Sequence, residues 1–198
     1  METIYKDEAI VLNRKFVGEK DIVITIYTKK SGKESVYIQN GQFLKNMPYS
    51  LMSPFCWFKG VFIKIKDKFI IAEIDSYKQI GYYLSQDIER FKTGFNILNF
   101  MYKLAPHQDE RIFVLLKKTL YFLAFSENTK YLEISFLLKI TYLNGELDLK
   151  RLNLNEREFD FLINLMKKSI KEVSQLKMGN LELLESMRNK LIKELVKD

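Results

Sequence analysis

The sequence predicts an α+β chain in which a five-stranded β domain precedes an all-helical one. Up to about Ser76 the apolar residues recur with a period of two, and from about residue 80 onward with the three-to-four spacing of helices. The composition supplies the core that both halves need. Of 198 residues, 47% are hydrophobic, whereas Gly and Pro number only eight and three, too few for a disordered or low-complexity chain. The expected division is a domain over 1–78 and a second over 79–198, meeting near Tyr77 to Gly81. No Pro/Ser-rich linker marks the boundary, so the two parts are expected to pack directly on each other.

Ala9 to Leu12 reads as a first strand. Lys15 to Lys20 separates it from a second, in which Ile22, Ile24 and Ile26 alternate with Val23, Thr25 and Tyr27. Lys29, Lys30, Ser31 and Gly32 form a polar connection suited to a hairpin, leading to a third strand where Val36 and Ile38 alternate with Ser35 and Tyr37. Gly41 to Leu51 lacks alternation and suits a short helix before Pro54. Trp57 to Lys66 and Phe69 to Asp75, joined by Asp67 and Lys68, read as a second hairpin. Five strands with a helix after the third have the connectivity of a small oligonucleotide-binding (OB) barrel.

In the second half, Ile88, Phe91, Phe95, Leu98 and Tyr102 step by three or four and are expected to form one buried stripe. Pro106 ends that helix, and Asp109 caps the next, whose Ile112, Leu115, Leu116, Thr119 and Leu123 repeat the spacing. A third helix covers Lys130 to Tyr142 and stops at Asn144 and Gly145. Asn155 and Glu158 have the spacing of a capping box, with Leu154 and Phe159 placed for a hydrophobic staple. A last helix starts at Asn180 and turns Leu181, Leu184, Leu191 and Leu195 inward.

Charge and chemistry narrow the function. Thirty-two Lys and Arg against 25 Asp and Glu leave +7, which favours an anionic partner. Residues 1–78 carry 13 basic and nine acidic side chains, so arrangement matters there more than amount. One Cys and one His cannot build an internal disulfide or a four-ligand zinc site, and His107 beside Pro106 in a loop offers no Ser–His–Asp or Cys–His machine. Cys56 beside Trp57 reads as a small buried hydrophobe, and Phe55, Trp57 and Phe58 as core. There is no phosphate-cradling Gly loop and no carboxylate cluster with metal spacing, so no enzyme activity, cofactor or metal is expected. The first eight residues carry three acids and lead into no long apolar run, unlike a signal peptide. Charges interrupt every apolar stretch before the roughly 20 residues of a membrane span, so a soluble cytoplasmic protein is expected.

An OB barrel holds single strands by stacking bases on aromatics of its second and third strands while cations follow the phosphates. With Ile22, Ile24 and Ile26 facing inward, Tyr27 and Tyr37 are expected to point outward as the stacking pair. Arg14, Lys15, Lys20, Lys29, Lys30 and Lys33 lie in the segments flanking that surface, and Lys64, Lys66 and Lys68 extend the positive charge. Glu19, Asp21 and Glu34 lie among them and fit the alternative, in which the lysines are solvated caps at sheet ends. Glu19 and Asp21 are better suited to fixing the first turn than to acid–base work. Lys117 and Lys118 read either as a secondary DNA contact or as an exposed helix face.

Glu8 to Leu12, followed by Gly18, Glu19, Lys20 and Asp21, then Thr28, Gly32, Gly41 and Pro54, resembles the N-terminal signature of the DNA repair protein RecO family. That signature has an IVL strand, a GExD turn, a second strand ending in Thr and a Gly opening the third. Ile134 to Leu138 followed by Asn144 and Gly145 is similar to a helix and turn in the family's second half. The resemblance implies a non-catalytic recombination mediator that binds and anneals DNA, both single- and double-stranded. It implies RecR and single-strand-binding protein as partners and a part in loading RecA. The chain departs from the family in two places. Many members carry a four-Cys zinc module after that turn, whereas Glu146 to Asn155 has no Cys, so no zinc-dependent role is implied. The family's run of Arg and Lys near Gly41 is reduced here to Lys45 within Gln39 to Lys45. The alternative from another class is an OB-fold protein-interaction adaptor without nucleic-acid affinity of its own.

Overall fold

The computed structural model describes residues 2–42, 49–66, 68–105, 108–176, 179 and 181–195. Its first element, β1 (Glu2–Val17), is 16 residues long and extends far beyond Ala9 to Leu12 on both sides. Polar residues such as Lys6, Glu8 and Lys15 conceal the strand in the sequence. The ladder recruits them because β1 pairs along its first half with β4 (Cys56–Ile65) and along its second half with β2 (Asp21–Thr28). β3 (Gly32–Ile38) pairs with β2, and β5 (Lys68–Gln79) with β4. Every pair is antiparallel, and the order is β3-β2-β1-β4-β5, that of an OB fold.

The expected closed cylinder is corrected in one respect: the hydrogen-bonded ladder among the described strands stays open between β3 and β5. Those two edges approach within 8 Å at Cα. Lys64 on β4 pairs with Glu34 on β3 at 2.8 Å. Inside, the alternation resolves as expected, with Ile22, Ile24 and Ile26 packed beside Val36, Ile38, Phe58, Phe62 and Phe69. Most of Gly41 to Leu51, where a short helix is expected, lies outside the described residues; at its end a 3-10 turn, Tyr49–Met52, adds Leu51 and Met52 to the same core. Phe55 and Phe58 are buried, but Trp57 is only half-buried and its Nε1 donates to Glu8 at 2.9 Å, because β4 alternates and turns it away from the core. Cys56 is fully buried, and burial pushes its thiol up to about 12.

The chain divides into two compact units, Met1–Tyr83 with Pro106–Phe113, and Leu84–Ala105 with Val114–Asp198. After α1 (Ile80–Leu84) the helices are α2 (Ile88–Leu104), α3 (Glu110–Leu123), α4 (Thr129–Leu143), α5 (Glu156–Lys167), α6 (Ile170–Ser174) and α7 (Leu181–Leu195). α4 is the axis of the second unit, buried at every position from Tyr131 to Leu138. One of those positions is Glu133, which is held by Arg188 of α7 at 2.8 Å and Asn96 of α2 at 2.9 Å.

α2 turns a different face inward from the one expected. Thr93, Gly94, Ile97, Leu98, Phe100 and Met101 are buried, whereas Ile88 is 63% exposed and Phe95 and Tyr102 are also exposed. α2 packs against α4, and the Asn96 link to Glu133 holds the two helices in register. Caps follow the sequence more closely. Asp109 accepts from the Arg111 N–H at 2.7 Å, Gly145 ends α4 with φ +75°, and the Asn155/Glu158 capping box is formed. A second box, Ser169 with Glu172, starts α6. Phe159, the expected staple residue, stays exposed. In α7, Leu184, Met187 and Leu191 are buried. Pro106, His107, Asp67, Asn180 and the side chains of Leu181 and Leu195 lie outside the described residues.

Two outcomes follow for stability. Gly60 sits at a bulge of the β4–β5 ladder, where an added Cβ would fall inside the contact radius of the Glu73 carbonyl oxygen. Gly60→Ala is therefore expected to destabilise the protein by about 1–3 kcal/mol in denaturant titration, with the m-value unchanged. Glu158 accepts from Lys190 at 2.8 Å and closes the α5 capping box, and these bonds hold its carboxyl below the ordinary glutamate range. Their contribution is present above the unfolded value of about 4.3 and is lost as pH falls through the lowered folded value. Between about pH 7 and about pH 3, the denaturation midpoint of Glu158→Gln should fall less than that of the parent protein.

Candidate nucleic-acid interface

The geometry of one sheet end is set by a bulge in β1. Val11 pairs with Ile26 and Asn13 with Thr25, leaving Leu12 as the extra residue. The insertion inverts the alternation. Before it Ala9 and Val11 point into the core, and after it Arg14 and Phe16, opposite Ile24 and Ile22, share that side. There the side chains meet the 3-10 turn. The Arg14 guanidinium lies over the Tyr49 ring at 4.2 Å and over the Phe16 ring at 5.3 Å, and Nη1 donates to Ser53 Oγ at 3.3 Å. Phe16 and Tyr49 remain 55% and 46% exposed.

The opposite side of the same end carries a row across three strands, with Lys15 opposite Val23 and Val23 opposite Tyr37. At the usual strand spacing Lys15 and Tyr37 stand about 10 Å apart. Tyr37 is 58% exposed, as its alternation predicts, and its hydroxyl donates to Asp21. Asp21 also accepts from the Asn40 N–H at 2.8 Å, and the two bonds hold its carboxyl below the ordinary range. Lys20 is exposed in the turn that begins with Gly18 at φ +59°. The fold thus gathers Arg14, Lys15, Lys20 and Tyr37 at the β1–β2 turn.

Lys29 and Lys30 lie at the other end of β2, about 25 Å away along the strand. There the cations are engaged by their own unit. Lys29 pairs with Glu110 at 2.8 Å, which pushes its ammonium up. Lys30 donates from its N–H to Asp7 at 2.9 Å and from Nζ to the Lys6 carbonyl at 2.8 Å. Asp7 is buried, and burial raises its carboxyl against those bonds. Lys6 in turn pairs with Asp75 at 3.3 Å. Lys33 is half-buried on β3, opposite Tyr27.

Tyr27 requires a correction. Its alternation points it away from the barrel core, yet it is completely buried, because the chain returns over this patch. Its hydroxyl donates to the Asp109 carbonyl at 3.5 Å, and burial pushes it up to about 12. Tyr27 has no ring face for a base in this conformation. Lys45 lies outside the described residues. Lys118 is exposed and Lys117 half-buried on α3.

Phe16 and Tyr49 were not singled out in the sequence. Arg14 and Phe16, two apart on a strand, would have been legible had β1 been carried past Leu12. No local signal brings Tyr49 to them. Among the described residues no group of three or more His, Cys, Asp or Glu is placed to hold a metal ion, and no helix is long and apolar enough to cross a membrane.

Residues 1–80 match the family model described as Recombination protein O N terminal. The chain is 26% identical over 120 residues to the DNA repair protein RecO of Alkaliphilus metalliredigens (strain QYMF), an alignment that covers 60% of this chain and 48% of the relative. It thus spans about half the length of that relative. The strand order, the Gly18 to Asp21 turn and the family match fall on the same first 80 residues, so this OB-fold domain is similar to the N-terminal domain of the RecO family.

Proposed function

We propose that the protein is a non-catalytic recombination mediator in DNA repair that holds single-stranded DNA on its OB unit. Annealing of complementary strands, binding of duplex DNA and help in loading RecA together with RecR belong to the same proposal. So does single-strand-binding protein as the partner that hands over the strand. The observation that carries it is the RecO N-terminal match on a sheet whose β1–β2 end carries Arg14, Lys15 and Lys20 together with exposed aromatic rings. A mediator of this kind works by binding alone, so its requirements are cations for phosphates and ring faces for bases. The β2–β3 end contributes less, since Lys29 and Lys30 already answer to Glu110, Asp7 and the Lys6 carbonyl.

Anisotropy of a labelled single-stranded oligonucleotide across a salt series tests this. Engagement of about four phosphates gives a log–log slope of about −3, and salt-independent or absent binding overturns the role in favour of the protein-interaction adaptor. Lys15→Glu with Lys20→Glu should weaken binding alike for every sequence and flatten that slope by about 1.4. Lys30→Met should leave affinity within about twofold, because its ammonium is tied to a carbonyl of the same unit. A large loss from Lys30→Met would move the phosphate path to the other end of the sheet.

A further inference from the structure

Resting on that DNA-binding role, we propose that Phe16 and Tyr49, ordered by the Arg14 guanidinium, form a stacking site for one unpaired nucleobase. Neither ring belongs to the core, and each keeps about half of its surface in solvent. Both are nonetheless fixed. Phe16 is anchored in the β1–β2 ladder opposite Ile22. Tyr49 opens a turn whose next residues include Leu51 and Met52, buried to 1% and 0% exposure. The guanidinium that lies over both rings is itself held by Ser53 Oγ. The backbone that carries both rings is therefore ordered before a ligand arrives, and the Arg14 guanidinium joins the rings into one cluster, which distinguishes them from scattered surface aromatics.

The chemistry of the cluster selects its ligand. Aromatic faces and a planar guanidinium are the groups on which bases stack, and stacking is indifferent to base identity because every base has a π-face. A base inside a duplex has both faces covered by its neighbours, so the site takes bases only from single strands or frayed ends. Lys20, exposed in the same turn, supplies charge for a flanking phosphate, whereas Lys15 stands on the opposite side of the strand. The cluster is thus a device for preferring single strands over duplex, a property that phosphate contacts alone do not confer.

The test compares the full chain on a single-stranded oligonucleotide, on the same strand with abasic positions, and on the matching duplex, all at one salt concentration. Phe16→Ala with Tyr49→Ala should lower single-strand affinity about 5- to 150-fold. Duplex affinity and the salt slope should stay unchanged. On the parent protein, abasic substitution should cost a comparable factor, and this arm needs no variant. Phe16→Tyr with Tyr49→Phe should retain binding. Arg14→Lys keeps the charge but loses the planar surface, so it should lose single-strand preference while keeping the salt slope. Equal losses on single strand and duplex, or no loss on removing the rings or the bases, overturn the stacking site alone. A parent protein that binds no nucleic acid overturns the DNA-binding role and the stacking site together.

Discussion

The first unit depends on β1 serving two neighbours at once. Its initial half satisfies the backbone of β4 and its later half that of β2, so the sheet has no centre without it. A strand shared in this way cannot be flat, and the extra residue at Leu12 supplies the bend. The same insertion decides which side chains leave the core. Without it, Asn13 and Lys15 would stand where Arg14 and Phe16 now do, and the guanidinium would not reach Tyr49. One unpaired residue therefore links the curvature of the sheet to the composition of its rim.

The two ends of the sheet show how charge is divided between folding and recognition. At the β2–β3 turn, lysines, buried or partly exposed carboxylates and backbone carbonyls satisfy one another, with Asp7 accepting two backbone bonds in a site that otherwise disfavours its charge. At the β1–β2 turn the Arg14 guanidinium sits beside two rings and the Ser53 hydroxyl. The modest basic excess of residues 1–78 is consequently uneven in effect, and a count of lysines along the chain overstates one end and understates the other.

The parts of this architecture that depend on near neighbours are readable in the sequence. Ile22, Ile24 and Ile26 declare a one-sided strand, and Asn155 with Glu158 declares a helix start, because the partners lie within a few residues. What escapes is set by distant partners. The ends of β1 are held by ladder bonds and carry no alternating pattern. The buried face of α2 is chosen by α4, so its apolar stripe at Ile88, Phe95 and Tyr102 misleads. Tyr27 has the alternation of an outward residue, and only the segment around Asp109, far along the chain, covers it. Tyr49 joins Arg14 across 35 positions for the same reason, so the aromatic half of the candidate site had no local trace.

Cys56 is the sole cysteine of the sequence, and its thiol is sealed in the barrel interior with its ionisation pushed far above neutrality. Alkylating reagents attack the thiolate, so this sulfur is silent in the native protein and becomes reactive when the β unit opens. The molecule thereby carries a built-in clock for the opening of one of its two units. A fluorophore attached through a cysteine introduced at the surface would also meet no competing native thiol.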